Sequence, residues 1–167
     1  MSFNVRTEPD GHTFEVETGE NLLAAALHQG VSLPYGCRNG QCGSCAAKLL
    51  DGDVNYPDGA PEALLDQPSG TCITCQAFAQ SDLVIKVREV KTATEVEVRT
   101  LPCRVVGKEQ LNHDVVRLYI KLPDNQRLQF FAGQYLDFLL RDGRKRAFSI
   151  ANAPHDDELI ELHVLHV

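Results

Sequence analysis

Cysteine is the residue type that carries the clearest chemical signal in this 167-residue chain. Cys37, Cys42 and Cys45 have C-x4-C-x2-C spacing within the stretch CRNGQCGSC, and Cys75 follows after 29 intervening residues. Four thiolates at this spacing are the ligand set of a [2Fe-2S] cluster. The glycines of the stretch would let the backbone approach the cluster sulfurs, because glycine adopts dihedral angles that other residues avoid. The pattern therefore predicts a [2Fe-2S] cluster.

Two other interpretations of the cysteines stay open at this stage. Cys42 and Cys45 together with Cys72 and Cys75 form two C-x2-C pairs, which are the usual pattern of a structural zinc site. That arrangement would leave Cys37 and the glycine-rich spacing without a role, so we favour the iron-sulfur centre with Cys75 as its fourth ligand. The third interpretation is a set of ordinary buried thiols.

The compartment can be inferred from the cysteine count and the start of the chain. The sequence has six cysteines, and its opening MSFNVRTEPD has neither the basic nor the apolar region of a secretory leader. Such a chain is expected to be cytoplasmic, to bind metal rather than form disulfides, and to have no membrane partner, because no apolar run is long enough to cross a bilayer. Cys103, which lies apart from the others, is expected to be a small core residue.

The net charge of -7 is concentrated in the first half of the chain. Residues 1–90 contain 12 acids and 5 bases, whereas residues 91–167 contain 11 of each. An acidic first half argues against nucleic-acid binding and suits a module that docks on a basic protein surface.

The first half reads as a small mixed sheet with one main helix. Strand patterns at residues 3–7 and 13–17 flank a Pro-Asp-Gly turn, and a helix capped by Thr18 is expected to end at Gly30. The later segments predict a strand in AAKLLDGDV, a short helix in PEALLDQ, and two closing strands in ITCQAFA and DLVIKV.

The second half consists of strand-like runs separated by turns, with no convincing helix. The runs are LPCRVVGKEQ, DVVRLYIKL, QYLDFLL, RAFSI and ELIELHVLHV, a pattern typical of an antiparallel barrel. Between the halves, KTATEVEV has no fixed period. We expect a first domain at 1–92, a linker at 93–98 and a second domain at 99–167.

The stretch PYGCRNGQCGSCAAKLLDG followed by TCITCQA resembles a plant-type [2Fe-2S] ferredoxin domain. The resemblance covers the first domain and implies an α+β beta-grasp fold with its cluster near the surface. It also implies that Cys37, Cys42, Cys45 and Cys75 are the cluster ligands, flanked by Arg38.

The stretch RAFSIANAP resembles the flavin-binding motif of ferredoxin reductase-type domains, and FFAGQYLDF resembles the strand that precedes it. The resemblance implies an all-β Greek-key barrel that binds FAD in preference to FMN. Arg146 would pair with the phosphates, Phe148 would lie against the isoalloxazine, and Ser149 would hydrogen-bond near its N5 atom.

A ferredoxin domain followed by a flavin barrel resembles the reductase components of bacterial oxygenases and the reductases that act with deoxysugar dehydrases. The resemblance implies an NAD(P)H-dependent reductase that passes single electrons to a terminal oxygenase or dehydrase. The family's glycine-rich phosphate loop and nicotinamide domain are not found in the sequence, so we expect the first part of a longer protein, inactive with NAD(P)H alone. The alternative is a stand-alone ferredoxin electron carrier with a structural or interaction barrel.

Overall fold

The chain begins with a hairpin whose alternating pattern buries one side of each strand. In the computed structural model, β1 (Ser2–Glu8) pairs antiparallel with β2 (Thr13–Glu17). Val5, Phe14 and Val16 are buried, and the strand residues next to each of them are exposed. Both predicted strands are confirmed, because period-two alternation is what a half-buried strand requires.

The main helix, α1 (Leu22–His28), follows the hairpin but is capped by a different residue from the one predicted. The side-chain oxygen of Asn21 accepts a hydrogen bond from the backbone N–H of Ala24 at 2.9 Å, which is the geometry of an N-cap. The prediction that Thr18 caps the helix was wrong. The Thr18 hydroxyl instead donates to the carbonyl oxygen of Met1 at 2.8 Å and fastens the end of the hairpin.

The remaining elements of the first unit complete a five-stranded mixed sheet in the order β2-β1-β7-β3-β5. β1 and β7 are parallel, and the other neighbours in this sheet are antiparallel. The short helix predicted in PEALLDQ is present as a 3-10 helix. The elements are β3 (Ala46–Asp51), β4 (Val54–Asn55), the 3-10 helix (Glu62–Asp66), β5 (Thr71–Ile73), β6 (Phe78–Ala79) and β7 (Leu83–Lys86).

The core of the first unit lies between α1 and this sheet. Leu22 and Leu23 of the helix are fully buried, as are Val5 of β1 and Ile85 of β7. The same core includes Cys45, Cys72 and Cys75, so the cysteine region is part of the hydrophobic interior and is positioned by it. The α+β arrangement predicted for the first domain is confirmed.

The described residues of the second unit form five strands and a smaller core. Its elements are β8 (Arg104–Gln110), β9 (Val115–Lys121), β10 (Tyr135–Leu139), β11 (Lys145–Ser149) and β12 (Ile160–Leu165). They form a three-stranded sheet, β12-β9-β8, and a two-stranded sheet, β10-β11. A bridge between Ile150 and Leu162 connects the two sheets. The all-β prediction is confirmed, although the described strands form open sheets and not a closed barrel.

The structure describes residues 1–91, 96 and 98–165. The first unit comprises Met1–Glu95 with Asn125–Arg127, and the second comprises the other residues. Most of the predicted linker lies outside the described residues, so its bounds stay a prediction. In the described part of the chain, no helix has the length and hydropathy needed to cross a membrane.

Candidate iron-sulfur and flavin sites

The cysteine loop between α1 and β3 is held in a backbone conformation that few residues adopt. Gly40 and Gly43 have φ angles of +82° and +72°, and Arg38 has a φ of +59°. A Cβ atom on Gly40 would lie only 2.7 Å from the Cβ of Pro61, so glycine is required there both by its dihedral angle and by the space available.

Arg38 is held in its unusual conformation by contacts from two sides. Its carbonyl oxygen accepts a hydrogen bond from Nε2 of Gln76 at 2.9 Å. Its guanidinium carbon lies 5.5 Å from the centroid of the Tyr35 ring, within the range of a cation–π interaction. A non-glycine residue in the left-handed region costs about 1–3 kcal/mol, so these contacts help to maintain the loop that carries the cysteines.

The four predicted ligands approach one another as two pairs. The Sγ atoms of Cys45 and Cys75 are 3.3 Å apart, and the backbone N–H of Cys42 donates to the Sγ of Cys37 at 3.4 Å. Cys37, Cys45 and Cys75 are each only 2% exposed, whereas Cys42 reaches the surface. The four predicted ligands therefore form two close pairs, and three of the four are buried.

The pairwise arrangement fits a two-iron centre better than a single metal ion. A structural zinc ion needs four ligands around one point, whereas a [2Fe-2S] cluster distributes four thiolates over two irons. The donor set and its geometry therefore fit the cluster.

Cys72 and Cys75 lie in different surroundings. Cys72 is fully buried in β5, opposite Ala47 of β3, and burial raises the pKa of its thiol to about 12. Cys75 lies in the turn that follows β5, beside Cys45. Hydrogen bonding between these two thiols lowers the pKa of Cys45 and raises the pKa of Cys75. The 3.3 Å distance between the Sγ atoms of Cys45 and Cys75 supports Cys75 as the fourth ligand.

Ser44 is a neighbour of the cluster site that the sequence analysis missed. Its Oγ atom lies 3.3 Å from the Sγ of Cys42. Partial burial would raise the pKa of the Cys42 thiol, but hydrogen bonding with Ser44 and Cys37 outweighs burial, and the pKa lies below its ordinary value. The sequence could have indicated this neighbour, because a hydroxyl residue lies between two ligand cysteines.

The three predicted flavin residues lie on β11, but not all on one side of it. Phe148 pairs with Leu136 of β10, is half-buried and packs against the second core. Its ring meets that of Phe138 edge to face, with the centroids 5.7 Å apart. Arg146 lies on the same face by strand alternation, and Ser149 lies on the opposite face.

Two features of this strand pair suit a phosphate-bearing aromatic ligand. Arg146 is exposed and forms no ion pair with any residue in the described part of the chain, so its guanidinium is available for an anion. Tyr135, which the sequence analysis did not consider as a site residue, is 68% exposed and pairs directly with exposed Ser149. The sequence could have drawn attention to Tyr135, because it lies in FFAGQYLDF, the stretch that resembles the strand before the flavin-binding motif. The strand pair therefore presents the side-chain types that a flavin needs, with Arg146 on one face and the Tyr135–Ser149 pair on the other.

The expectation that Cys103 is a core residue was wrong. Cys103 is exposed and lies just before β8, a strand with mostly exposed residues on both of its faces. There is therefore no core beside it to bury a small side chain.

Comparison with protein families assigns both halves of the chain. Residues 5–80 match the 2Fe-2S iron-sulfur cluster binding domain. Residues 102–167 match the oxidoreductase FAD-binding domain. The chain joins an iron-sulfur domain to an FAD-binding domain. The first of these families binds a [2Fe-2S] cluster and the second binds FAD, so both predicted cofactors are confirmed.

Curated relatives match over the whole of the chain. The CDP-6-deoxy-L-threo-D-glycero-4-hexulose-3-dehydrase reductase of Yersinia pestis is 35% identical over 167 residues, which are 100% of this chain and 50% of that protein. Reductase component 1 of terephthalate 1,2-dioxygenase from Comamonas is 34% identical with the same coverage. The chain spans about half the length of these relatives.

Solved structures show the same relationship. An Amycolatopsis cytochrome P450 reductase is 30% identical with a TM-score of 0.52, over 99% of this chain and 49% of that chain. The ferredoxin reductase of carbazole 1,9a-dioxygenase is 26% identical with a TM-score of 0.51, over 100% of this chain and 50% of that chain. The predicted resemblance to oxygenase and dehydrase reductases is confirmed.

Proposed function

We propose that this chain is the cluster- and flavin-bearing part of an NAD(P)H-dependent reductase that passes single electrons to an oxygenase or a dehydrase. The observation that carries the proposal is the presence of a [2Fe-2S] domain and an FAD-binding domain in one chain. Relatives that match over the whole of this chain are named as reductases of a hexulose dehydrase and of a dioxygenase. A flavin accepts two electrons as hydride and can release them one at a time to the cluster. The two cofactors together therefore convert a two-electron transfer into one-electron steps.

The first unit would hold the cluster by its two thiol pairs. Cys37 and Cys42 would bind one iron, and Cys45 and Cys75 the other, because each pair is already close together. The burial of three of these thiols limits access of water, and the exposure of Cys42 leaves one side open to a partner protein. Electron transfer to the partner is therefore expected on the Cys42 side.

The surface beside the cluster loop has the composition of a protein-docking face. The backbone N–H of Ala63 donates to the carbonyl oxygen of Gly40 at 2.9 Å, which attaches the 3-10 helix to the loop. Leu65 of this helix is 85% exposed, with Glu62 and Asp66 exposed on the same short element. An exposed leucine among carboxylates suits a partner with an apolar centre and a basic rim.

The second unit would hold FAD through β10 and β11. Arg146 would bind the phosphates, because a guanidinium forms charge-assisted hydrogen bonds with them. Ser149 would donate a hydrogen bond to the flavin ring. The part of the Phe148 ring that is not buried in the core would lie against the isoalloxazine. We propose that NADH or NADPH binds residues outside this chain, since the sequence has no G-x-G-x-x-G motif and covers half of its relatives.

We further propose that the protein works in the cytoplasm. All six cysteines are free thiols in the structure. Disulfides form in oxidising compartments, and thiols that must bind iron are kept reduced in the cytosol.

Cofactor analysis of the complete reductase tests the proposed function. The full-length protein is expected to contain iron, inorganic sulfide and acid-extractable FAD, and to reduce a dye with NADH or NADPH. The 167-residue chain is expected to assemble the cluster but to reduce no dye with either nucleotide. A full-length protein that has the cluster but never binds flavin would identify a simple ferredoxin carrier, and dye reduction by this chain alone would show that the nicotinamide site lies within it.

A further inference from the structure

We propose that the Ser44 hydroxyl donates a hydrogen bond to the Cys42 sulfur of the bound cluster and raises the reduction potential of that cluster. Ser44 is then a positioning residue, which acts on electron transfer through a ligand. The inference rests on the cluster of the proposed function and names one residue that sets its potential.

The geometry at Cys42 is the first observation. Ser44 Oγ and Cys42 Sγ are 3.3 Å apart, which is within hydrogen-bonding distance for sulfur. A cysteine that binds iron is a thiolate and has no proton to donate. The hydroxyl must therefore be the donor when the cluster is present.

The space around this contact is the second observation, and it is independent of the first. A Cβ atom on Gly36 would lie 3.0 Å from Ser44 Oγ and 3.1 Å from Cys42 Sγ. Both distances are tighter than ordinary van der Waals contact. The absence of a side chain at Gly36 thus provides the room in which the hydroxyl and the sulfur meet.

A second hydroxyl in the cysteine region belongs to a buried residue beside Cys45. Thr74 is buried, and its Oγ1 donates to the carbonyl oxygen of Cys45 at 3.1 Å. The Ser44 hydroxyl, by contrast, is exposed and lies against the one ligand sulfur that reaches the surface. The site of partner access and the site of this hydrogen bond therefore coincide at Cys42.

The direction of the expected change in reduction potential follows from the charge of the cluster. One electron from a chemical reductant, or from the flavin of the proposed function, reduces one iron from the ferric to the ferrous state, and no bond to a ligand is broken. The cluster and its thiolates become more negative by one charge. A hydrogen-bond donor to a ligand sulfur stabilises the more negative state more strongly, so it raises the potential.

The test is redox titration of the 167-residue chain after assembly of its cluster, with dithionite as reductant and optical and EPR detection. Ser44→Ala removes the donor, Ser44→Thr retains it, and Ser69→Ala makes the same deletion at an exposed serine in the turn before β5. Iron and sulfide content are measured for every variant.

We expect Ser44→Ala to hold a full cluster with a more negative midpoint potential and a changed EPR spectrum of the reduced state. Ser44→Thr is expected to remain near the wild-type midpoint, and Ser69→Ala to match the wild type. A Ser44→Ala protein with a full cluster and an unchanged or more positive midpoint overturns the proposal.

Gly36→Ala provides a second test that retains the hydroxyl. The added methyl group should separate Ser44 from Cys42 and lower the midpoint, and it should have a smaller effect in the Ser44→Ala background, where there is more room. Equal shifts in the two backgrounds would contradict the proposed contact. Failure of the wild-type chain to bind iron would count against the proposed function, whereas a normal cluster that is insensitive to Ser44 would count only against this inference.

Discussion

The two units of this protein differ in how far their predicted cofactor-binding residues are buried. In the first unit, three of the four predicted ligand thiols are buried in or beside a core shared by the helix and the five-stranded sheet. In the second unit, the described buried hydrophobic cluster consists of Ile120, Phe130, Ile150, Ile160 and Leu162. Arg146 and Ser149 of the proposed flavin site are exposed on a two-stranded sheet.

This difference shows how the two sites can be built. A small inorganic cluster can be enclosed by one loop and one turn of a single core, so its ligands are close together before it binds. A flavin is much larger and gains much of its affinity from enclosure on several sides. The first site is therefore expected to assemble within this chain, and the second to depend on more surface than β10 and β11 provide.

The largest expected effect is loss of the cluster. Serine in place of Cys37, Cys42, Cys45 or Cys75 removes a thiolate ligand, so each variant should lose most of its bound iron and sulfide. Cys72→Ser and Cys103→Ser are matched controls that should retain both. Loss of iron in Cys72→Ser together with a normal content in Cys75→Ser would exclude the proposed ligand set.

The next largest effect concerns FAD affinity. We expect this chain to bind FAD weakly and the full-length protein to bind it tightly, as measured by fluorescence titration. Arg146→Ala should weaken binding by the full-length protein about 10–100-fold, because hydrogen bonds to charged groups contribute about 1.5–3 kcal/mol. Arg144→Ala is a suitable control, since Arg144 is already paired with Asp142. Equal losses in the two variants would argue against a phosphate contact at Arg146.

A smaller effect is expected from a buried carboxylate of the first unit, Glu89. Glu89 is 5% exposed, accepts a hydrogen bond from the buried Thr7 hydroxyl, and lies 2.6 Å from Nδ1 of His12. Glu89→Ala should lower the free energy of unfolding by about 1–3 kcal/mol, because it leaves buried polar groups without their partner.

The matched control for Glu89 is an exposed pair of the same kind. Glu20 lies 2.8 Å from Nδ1 of His28 at the surface. Glu20→Ala should cost about 0–1 kcal/mol, as surface ion pairs usually do. Urea denaturation followed by circular dichroism measures both variants, and a cost for Glu20→Ala as large as that for Glu89→Ala would show that burial does not set the difference.

The smallest effect is a difference in thiol reactivity without the cluster. Alkylation requires the thiolate, so a lowered pKa increases reactivity at neutral pH. In the apo chain, Cys42, whose pKa is lowered, should react several-fold faster than Cys103, whose pKa is raised by partial desolvation, and buried Cys72 should react last. The rate at Cys42 should begin to rise at a lower pH than the rate at Cys103. Mass spectrometry of iodoacetamide-treated protein gives the order, and faster reaction of Cys72 than of Cys42 would contradict it.

The sequence by itself determined the cofactor chemistry and the types of the two halves. The spacing of Cys37, Cys42 and Cys45 is local, and a nine-residue loop with glycines at required positions can be recognised without knowledge of its surroundings. Alternating strand patterns and the Pro-Asp-Gly turn were equally local signals. The same holds for the RAFSI stretch, whose family resemblance identified the FAD-binding domain.

Tertiary structure decided the properties that depend on distant parts of the chain. The surroundings of Cys72 and Cys75 depend on such contacts: pairing of β5 with β3 buries Cys72 in the core, and the following turn brings Cys75, which the sequence already favoured as the fourth ligand, to Cys45. Cys103 has no core beside it, and the inward packing of Phe148 depends on the register between β10 and β11. Such features arise from contacts between segments far apart in sequence, and a one-dimensional pattern does not contain the strand register and packing that create them.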